Sequence, residues 1–390
     1  MRICIGSPGR FYTFDLARQM ERLGHLAHMY TGYPRFKVDG LPRDKVSTFP
    51  WLIGSSMAMG RFGLASAVQR LNYLATVSFD RWMARHLDEC DVFHSLSQFG
   101  LESHQLAKRR YGALTVCDRG SSHILHQCRI LAEEFDRLGV PFKATDPRLV
   151  ERELAEYETT DLIFVPSEFA YRTFLEHGVP RHKLRKNSFG ADLRVFHPIP
   201  KDDDIFRVIY VGTLSVRKGI PYLLEALCGL KLPKFELWLI GSALPEVTPF
   251  LARYEGGFRY LGPIPRTKLY QYYSQGSVFG MASIEEGLAM VQPQAMACGL
   301  PVIATPNTGA EDLFTDGVEG FIVPVRDPGT IRERVLRLYQ DPGLRDEMSR
   351  AALRRVQSMR GWNEYGERAA RFYADGLAER TKHRHANTAV

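Results

Sequence analysis

A carboxylate and a carboxamide, Glu286 and Gln294, stand eight positions apart in the stretch Ser283-Ile284-Glu285-Glu286-Gly287-Leu288-Ala289-Met290-Val291-Gln292-Pro293-Gln294. Eight residues are about two helical turns, so a helix starting among these small residues turns both groups toward one ligand. Both accept hydrogen bonds from hydroxyls, and the carboxylate adds a charge. Upstream, Val211-Gly212-Thr213-Leu214-Ser215-Val216-Arg217-Lys218-Gly219 sets two adjacent cations on a glycine-containing turn ahead of a helical pattern. Free N–H groups at a helix start, with cations beside them, form a clamp for a diphosphate. Taken alone, the turn reads better as a surface-charged helix start, and the Glu286 segment tips the balance to the clamp.

Smaller signals lie in the first half. Gly6-Ser7-Pro8-Gly9 follows a β-like run and lets a phosphate approach the backbone. Thr115-Val116-Cys117 runs into Asp118-Arg119-Gly120-Ser121-Ser122-His123, which makes Asp118 or His123 the candidate at that junction. A lone histidine is more often structural than catalytic, and a strand-end location is what keeps His123 in view. His94, after Asp91-Val92-Phe93, is divided between a cleft position and core packing. A nicotinamide site needs G-x-G-x-x-G in the first turn and an acidic end to the second strand. The chain has two glycines in that turn and Tyr30-Thr31-Gly32 at that end, so this chemistry is set aside.

Strand-to-helix junctions are where such residues must be held, and the sequence supplies them. Strand-like runs at Arg2 to Ser7, His25 to Thr31, Asp91 to Leu96, Leu114 to Cys117 and Asp161 to Pro166 alternate with helical patterns such as Tyr12 to Gly24. After the polar stretch Pro198 to Asp204 the alternation resumes. Strands are expected at Phe206 to Val211, Glu236 to Ile240, Phe258 to Leu261, Val278 to Ala282, Pro301 to Thr305 and Gly320 to Val323. Helices are expected from Pro342 to Gln357 and from Trp362 to Ala378. Trp51 to Ala75 reads as a core-packing helical hairpin in preference to a membrane- or acceptor-facing amphipathic surface. Asp202-Asp203-Asp204 precedes a strand in the linker and reads as a solvated charge run rather than a metal site.

At 390 residues, 45% apolar and 24% charged, two domains are the default. The net charge of +7 suits small anions or an anionic membrane surface, while the absence of a Lys/Arg run argues against nucleic acid. Six scattered cysteines show no C-x-x-C spacing and read as reduced thiols. Ile3-Cys4-Ile5 is too short for a signal-peptide core, and no apolar run of about 18 residues spans a bilayer. The expected location is the cytoplasm or the inner face of its membrane.

The chain resembles glycosyltransferase family four, whose motif is a Glu, seven residues, then a second Glu before Ala-Met-Ala-x-Gly-x-Pro-Val. Glu286 matches the first Glu, and Ala295 to Val302 match the tail. Asp161 to Ser167, Gly190 to Pro198, Gly212 to Gly219, Ile240-Gly241, Tyr260 to Ile264 and Asp316 to Pro324 extend the match along most of the chain. The resemblance implies an α/β GT-B fold, two doubly wound Rossmann-like domains facing a central cleft. The expected acceptor-side domain is 1–197 and the nucleotide-sugar domain 198–360. A helix over 361–380 is expected to pack back on the first domain, with a disordered tail at 381–390.

The activity implied is retaining, metal-independent transfer from a UDP- or GDP-type sugar to a glycan, lipid-linked or small-molecule acceptor, with no cofactor. Surface polysaccharide or glycoconjugate synthesis and peripheral membrane contact belong to the same expectation. The alternative is a catalytically weak nucleotide-sugar-binding protein. Carried over by position, Lys218 binds the donor diphosphate, Ile264 offers its backbone to the base, and Glu286 meets the transferred sugar. Amides of Gly287, Leu288 and Ala289 cap phosphate and sugar, and Gly9 lies opposite. Three positions depart from the family. Gln294 replaces the ribose-binding Glu, Thr213 replaces an Arg for which Arg217 stands in, and Ala289 replaces a glycine. Acceptor contacts are expected near Trp51 to Ala75 and in a long loop from Arg119 to Thr145.

Overall fold

The computed structural model describes residues 1–49, 65–190, 192, 194–359 and 361–388. Short runs of Val, Ile, Leu and Phe, buried on both faces, form two all-parallel sheets, as expected where helices cover each side. The first contains β1 (Ile3–Ser7), β2 (Leu26–Thr31), β3 (Val46–Thr48), β4 (Val92–Leu96), β5 (Leu114–Asp118), β6 (Leu162–Val165) and β7 (Leu184–Lys186). Its spatial order is β3-β2-β1-β4-β5-β6-β7. The second contains β8 (Phe206–Val211), β9 (Phe235–Ile240), β10 (Arg259–Gly262), β11 (Val278–Met281), β12 (Val302–Ala304) and β13 (Gly320–Ile322). Its order is β10-β9-β8-β11-β12-β13.

Each sheet winds outward in both directions from one strand pair, β1/β4 and β8/β11. Crevices therefore open at the carboxyl ends of those pairs. This is the doubly wound α/β arrangement that the resemblance implies. The edge strands β3 and β7, three residues each, had no readable pattern of their own in the sequence.

Helix Gly361–Thr388 follows the second sheet yet packs on the first: Tyr365, Ala369 and Tyr373 join Ile3, Ile5, Val116 and Phe164 in one core cluster. It runs past Arg380, where the sequence reading places a disordered tail. Residues 381–388 contain Lys, Arg and Ala and no Gly or Pro, so nothing local ends the helix there. The expected loop from Arg119 to Thr145 is also corrected, for it contains the helix Ile124–Arg137, which buries Ile124, His126 and Glu134. Of the expected hairpin from Trp51 to Ala75, positions 51–64 lie outside the described residues, and Ala65–His86 is helical. In the linker, Asp203 is held by Arg207 and Asp204 by Lys234. No helix among the described residues is long and apolar enough to cross a membrane.

Candidate active site

The turn after β8 and the turn after β11 meet at the switch point of the second sheet. Gly219 caps the helix Ile220–Leu227 in the left-handed region, with φ 67°. A Cβ there would stand 1.8 Å from the Ala282 carbonyl oxygen, so only glycine lets the two turns touch. The Ile284 N–H donates to the Arg217 carbonyl at 2.9 Å, tying the turns together. Arg217, Lys218, Glu285 and Glu286 are thereby brought into one cluster.

Within it, Lys218 contacts the Glu286 carboxylate, and Arg217 donates to the other Glu286 oxygen at 3.2 Å. Burial, with the Arg217 charge beside it, pulls the Lys218 ammonium down, to about 7. The Glu285 carboxylate works against that pull. The cations expected to clamp a diphosphate and the acid expected at the sugar thus occupy each other.

Glu285 was passed over in the sequence, where it is one more residue of the motif. It is fully buried, 0% exposed, and accepts from the Ser121 hydroxyl at 2.6 Å, the Ser122 N–H at 3.2 Å and the Ser122 hydroxyl at 2.6 Å. Gln127 adds a bond at 2.9 Å and Arg217 one at 3.1 Å. Burial pushes its carboxyl up, but Arg217, Gln127 and the serines outweigh it and hold it near 2. Next to it, a Cβ on Gly287 would stand 2.0 Å from the Gly120 carbonyl oxygen, so the loop after β5 lies backbone-on-backbone against the turn after β11.

Across the cleft, Asp118 closes β5 with its side chain turned inward. It accepts from the Tyr12 hydroxyl at 3.0 Å and from His94 Nε2 at 3.0 Å, and His94 Nδ1 accepts from Tyr373 at 2.9 Å. That network assigns the proton of neutral His94 to Nε2. His94 is wholly buried, so it belongs to the core beneath the cleft.

His123 does not join the cluster. It caps the helix Ile124–Arg137, its Nδ1 accepting from the Leu125 N–H at 3.3 Å, and its ring stacks on His177 with 4.4 Å between centroids. Tyr157 and Phe174 complete the surround. Only 2% exposed, it is held neutral by burial and by the nearby His177, with its titration pushed down to about 3. A capping residue turns its ring back over the first helical turn and into the core, so the His123 side chain stands apart from the Lys218 and Glu286 cluster.

The other expected positions lie after β1, β8 and β10 and in and before the helix Val291–Ala297. Gly9 follows β1 and its carbonyl accepts from Ser7 at 2.8 Å. Thr213 is exposed after β8, its carbonyl accepting from Tyr210 at 2.9 Å. Ile264 follows β10 and packs on the core beneath. Gln294 is buried in the helix Val291–Ala297. That helix starts after Glu286, so the two do not share helical turns as the spacing suggested. Gly287, Leu288 and Ala289 precede the helix, and the Ala289 N–H is committed to the Thr308 carbonyl at 3.0 Å. Only Gly287 and Leu288 remain as amide candidates. Among the described residues no three His, Cys, Asp or Glu side chains are grouped to hold a metal ion.

The family model described as "Glycosyl transferases group 1" matches residues 205–341, the segment that carries this cluster. A D-inositol 3-phosphate glycosyltransferase of Frankia alni is 29% identical over 94% of this chain and 94% of its own. That of Kribbella flavida is 25% identical over 90% of this chain and 86% of its own. Among solved structures, sucrose-phosphate synthase from Thermosynechococcus elongatus superposes with a TM-score of 0.72 at 19% identity, covering 97% of this chain and 100% of that one. Anabaena HepE in complex with UDP and glucose gives 0.67 at 15% identity, covering 96% and 100%. Two doubly wound sheets, a cation and carboxylate cluster at the second switch point, and these matches lead to one conclusion: the chain has the GT-B fold, and its residues 205–341 match the group 1 glycosyl transferases.

Proposed function

We infer that the chain moves a sugar from a nucleoside diphosphate donor to a glycan, lipid-linked or small-molecule acceptor, with retention and without a divalent metal. The observation that supports this best is the convergence of Lys218, Arg217, Glu286 and the Gly287 backbone at the carboxyl ends of β8 and β11. When the bond to the anomeric carbon breaks, negative charge builds on the departing diphosphate. Lys218 and Arg217 answer that charge. Glu286, once released from them, faces the sugar, where positive character develops. The acceptor hydroxyl attacks from the face the diphosphate leaves and passes its proton to the leaving phosphate, so no carboxylate nucleophile is needed.

In this reading residues 198–360 bind the donor and residues 1–197 face the acceptor. Gly9, Asp118, Thr213, Ile264 and Gln294 surround the reacting groups. A UDP-type donor is favoured because a solved neighbour carries UDP, and a phosphorylated polyol is the first acceptor to test because several curated relatives are named D-inositol 3-phosphate glycosyltransferase. A cytoplasmic role in polysaccharide or glycoconjugate synthesis belongs to the same proposal.

The experiment is a thermal-shift screen against UDP, GDP, ADP and dTDP, followed by detection of nucleoside diphosphate released from the matching sugars in the presence of acceptors. A ligand that binds only the native state raises the melting temperature. A shift with turnover supports the reading. A shift without turnover would favour the weak binding protein, and no shift with any nucleotide would sink both.

A further inference from the structure

Glu285 is a charge buried between two halves of a molecule, and such a charge costs several kcal/mol unless it is answered in full. Five hydrogen bonds answer it, four from the Ser121, Ser122 and Gln127 side of the cleft and one from Arg217. An apolar pair of the same shape would hold two surfaces together as well or better, so packing alone does not explain a carboxylate here.

Its position does. The Arg217 guanidinium is split, NH1 on Glu285 at 3.1 Å and NH2 on Glu286 at 3.2 Å. Glu285 thereby fixes one prong of the fork and leaves the other facing Glu286. The same carboxylate seats the loop whose Gly120 backbone lies against Gly287. The helix that follows this loop has a second tie. Glu134, seven residues after Gln127 and so on the same face, accepts from the Tyr222 hydroxyl at 2.6 Å and pairs with Arg326. The helix Ile124–Arg137 is thus fastened to the second half at both ends.

We propose that Glu285 is a positioning residue that couples docking of the Gly120–Ser122 loop to the aim of Arg217 at the donor diphosphate. The proposal rests on the glycosyl-transfer reading. Glu285 touches neither sugar nor phosphate in it. When a diphosphate draws Lys218 and Arg217 away from Glu286, the Glu285 contact keeps the guanidinium in place, and only a docked loop keeps Glu285 in place. Closure of the acceptor wall and alignment of the clamp become one event.

The test uses the full chain, with the nucleoside diphosphate of the UDP, GDP, ADP and dTDP panel that stabilises the wild type, and the corresponding sugar for turnover. Glu285→Gln keeps the shape and loses the charge. It is expected to lower kcat by roughly tenfold or more and to weaken nucleotide affinity only severalfold. Arg217→Lys removes the fork, and in that background Glu285→Gln is expected to add little further loss in kcat. A stability role alone would lower the melting temperature of both variants and leave kcat of the folded protein unmoved. Ser121→Ala, which removes a single donor, gives a milder probe should Glu285→Gln fail to fold, and a severalfold fall in kcat at unchanged melting temperature is expected. A kcat within twofold of wild type for Glu285→Gln, or for Ser121→Ala where Glu285→Gln is unfolded, overturns the inference, as do multiplicative losses in the double variant. A wild type that neither binds a nucleotide nor turns over overturns the transfer reading and this inference with it, whereas an active wild type beside an equally active Glu285→Gln overturns this inference alone.

Discussion

The Glu286 carboxylate is in ion-pair contact with the Lys218 ammonium and accepts from Arg217 through its other oxygen at 3.2 Å. In the proposed mechanism a donor diphosphate competes with Glu286 for both cations, and the exchange that engages the phosphates frees the acid toward the sugar.

Glu286→Gln should leave nucleoside diphosphate affinity equal to or tighter than wild type, because the neutral amide no longer holds the clamp. Turnover should collapse. Lys218→Ala should weaken affinity and turnover together, by on the order of 2 to 3 kcal/mol, a factor of roughly 30 to 150. Calorimetric titration alongside kcat decides the matter. Equal losses of affinity in the two variants would remove Glu286 and Lys218 from these separate roles.

Asp118 and His94 form the centre of a buried relay running from Tyr12 to Tyr373. Asp118→Ala leaves two donors without an acceptor and should cost about 1 to 3 kcal/mol of stability for each group left unsatisfied. Tyr373→Phe, which removes one donor and keeps the ring, should cost about 1 kcal/mol. Urea unfolding of the variants tests this. Unchanged midpoints would mean that water or a rearranged side chain takes over the bonds.

His123 and His104 are both held neutral, their titrations pushed down to about 3, in each case mainly by burial. Above the ordinary histidine value near 6.5, neither state binds the proton and neither residue affects stability. Between about 6.5 and 3 the unfolded chain takes up protons that the native chain refuses, so stability falls as pH falls, by about 1.4 kcal/mol per pH unit for each histidine. His123→Asn keeps a capping acceptor and cannot titrate. It should lower the melting temperature at pH 7 yet flatten its decline between pH 6.5 and 5. With its ring in the core, it should also keep kcat within a few-fold of wild type. A kcat loss as deep as that of Glu286→Gln would restore the catalytic reading.

Charge on the leaving diphosphate is answered by Lys218 and Arg217 in the proposed mechanism, so turnover should persist in EDTA at the wild-type rate. Activity abolished by chelator and regained with magnesium or manganese would refute that mechanism.

Much of the fold could be read locally. Runs such as Phe206 to Val211 and Val278 to Met281 are strands because apolar, β-branched and aromatic side chains packed on both faces leave few other conformations. The helix Pro342–Gln357 begins at Pro after the Asp341 cap, a start signal visible in the sequence. Arg217, Lys218 and Glu286 could be singled out too, since each lies at a strand-to-helix turn, although the two cations alone read as a charged helix start. What the sequence could not contain was direction over distance. Whether His123 looks into the cleft or back over its own helix depends on Thr173 and His177, about 50 residues further along the chain, which meet it only after folding. Glu285 finds its partners at sequence separations as long as 164 residues. Local propensity can place a carboxylate on a turn, but which donors surround it, and whether it remains charged, is decided when two sheets that fold from separate stretches of chain close on the same cleft.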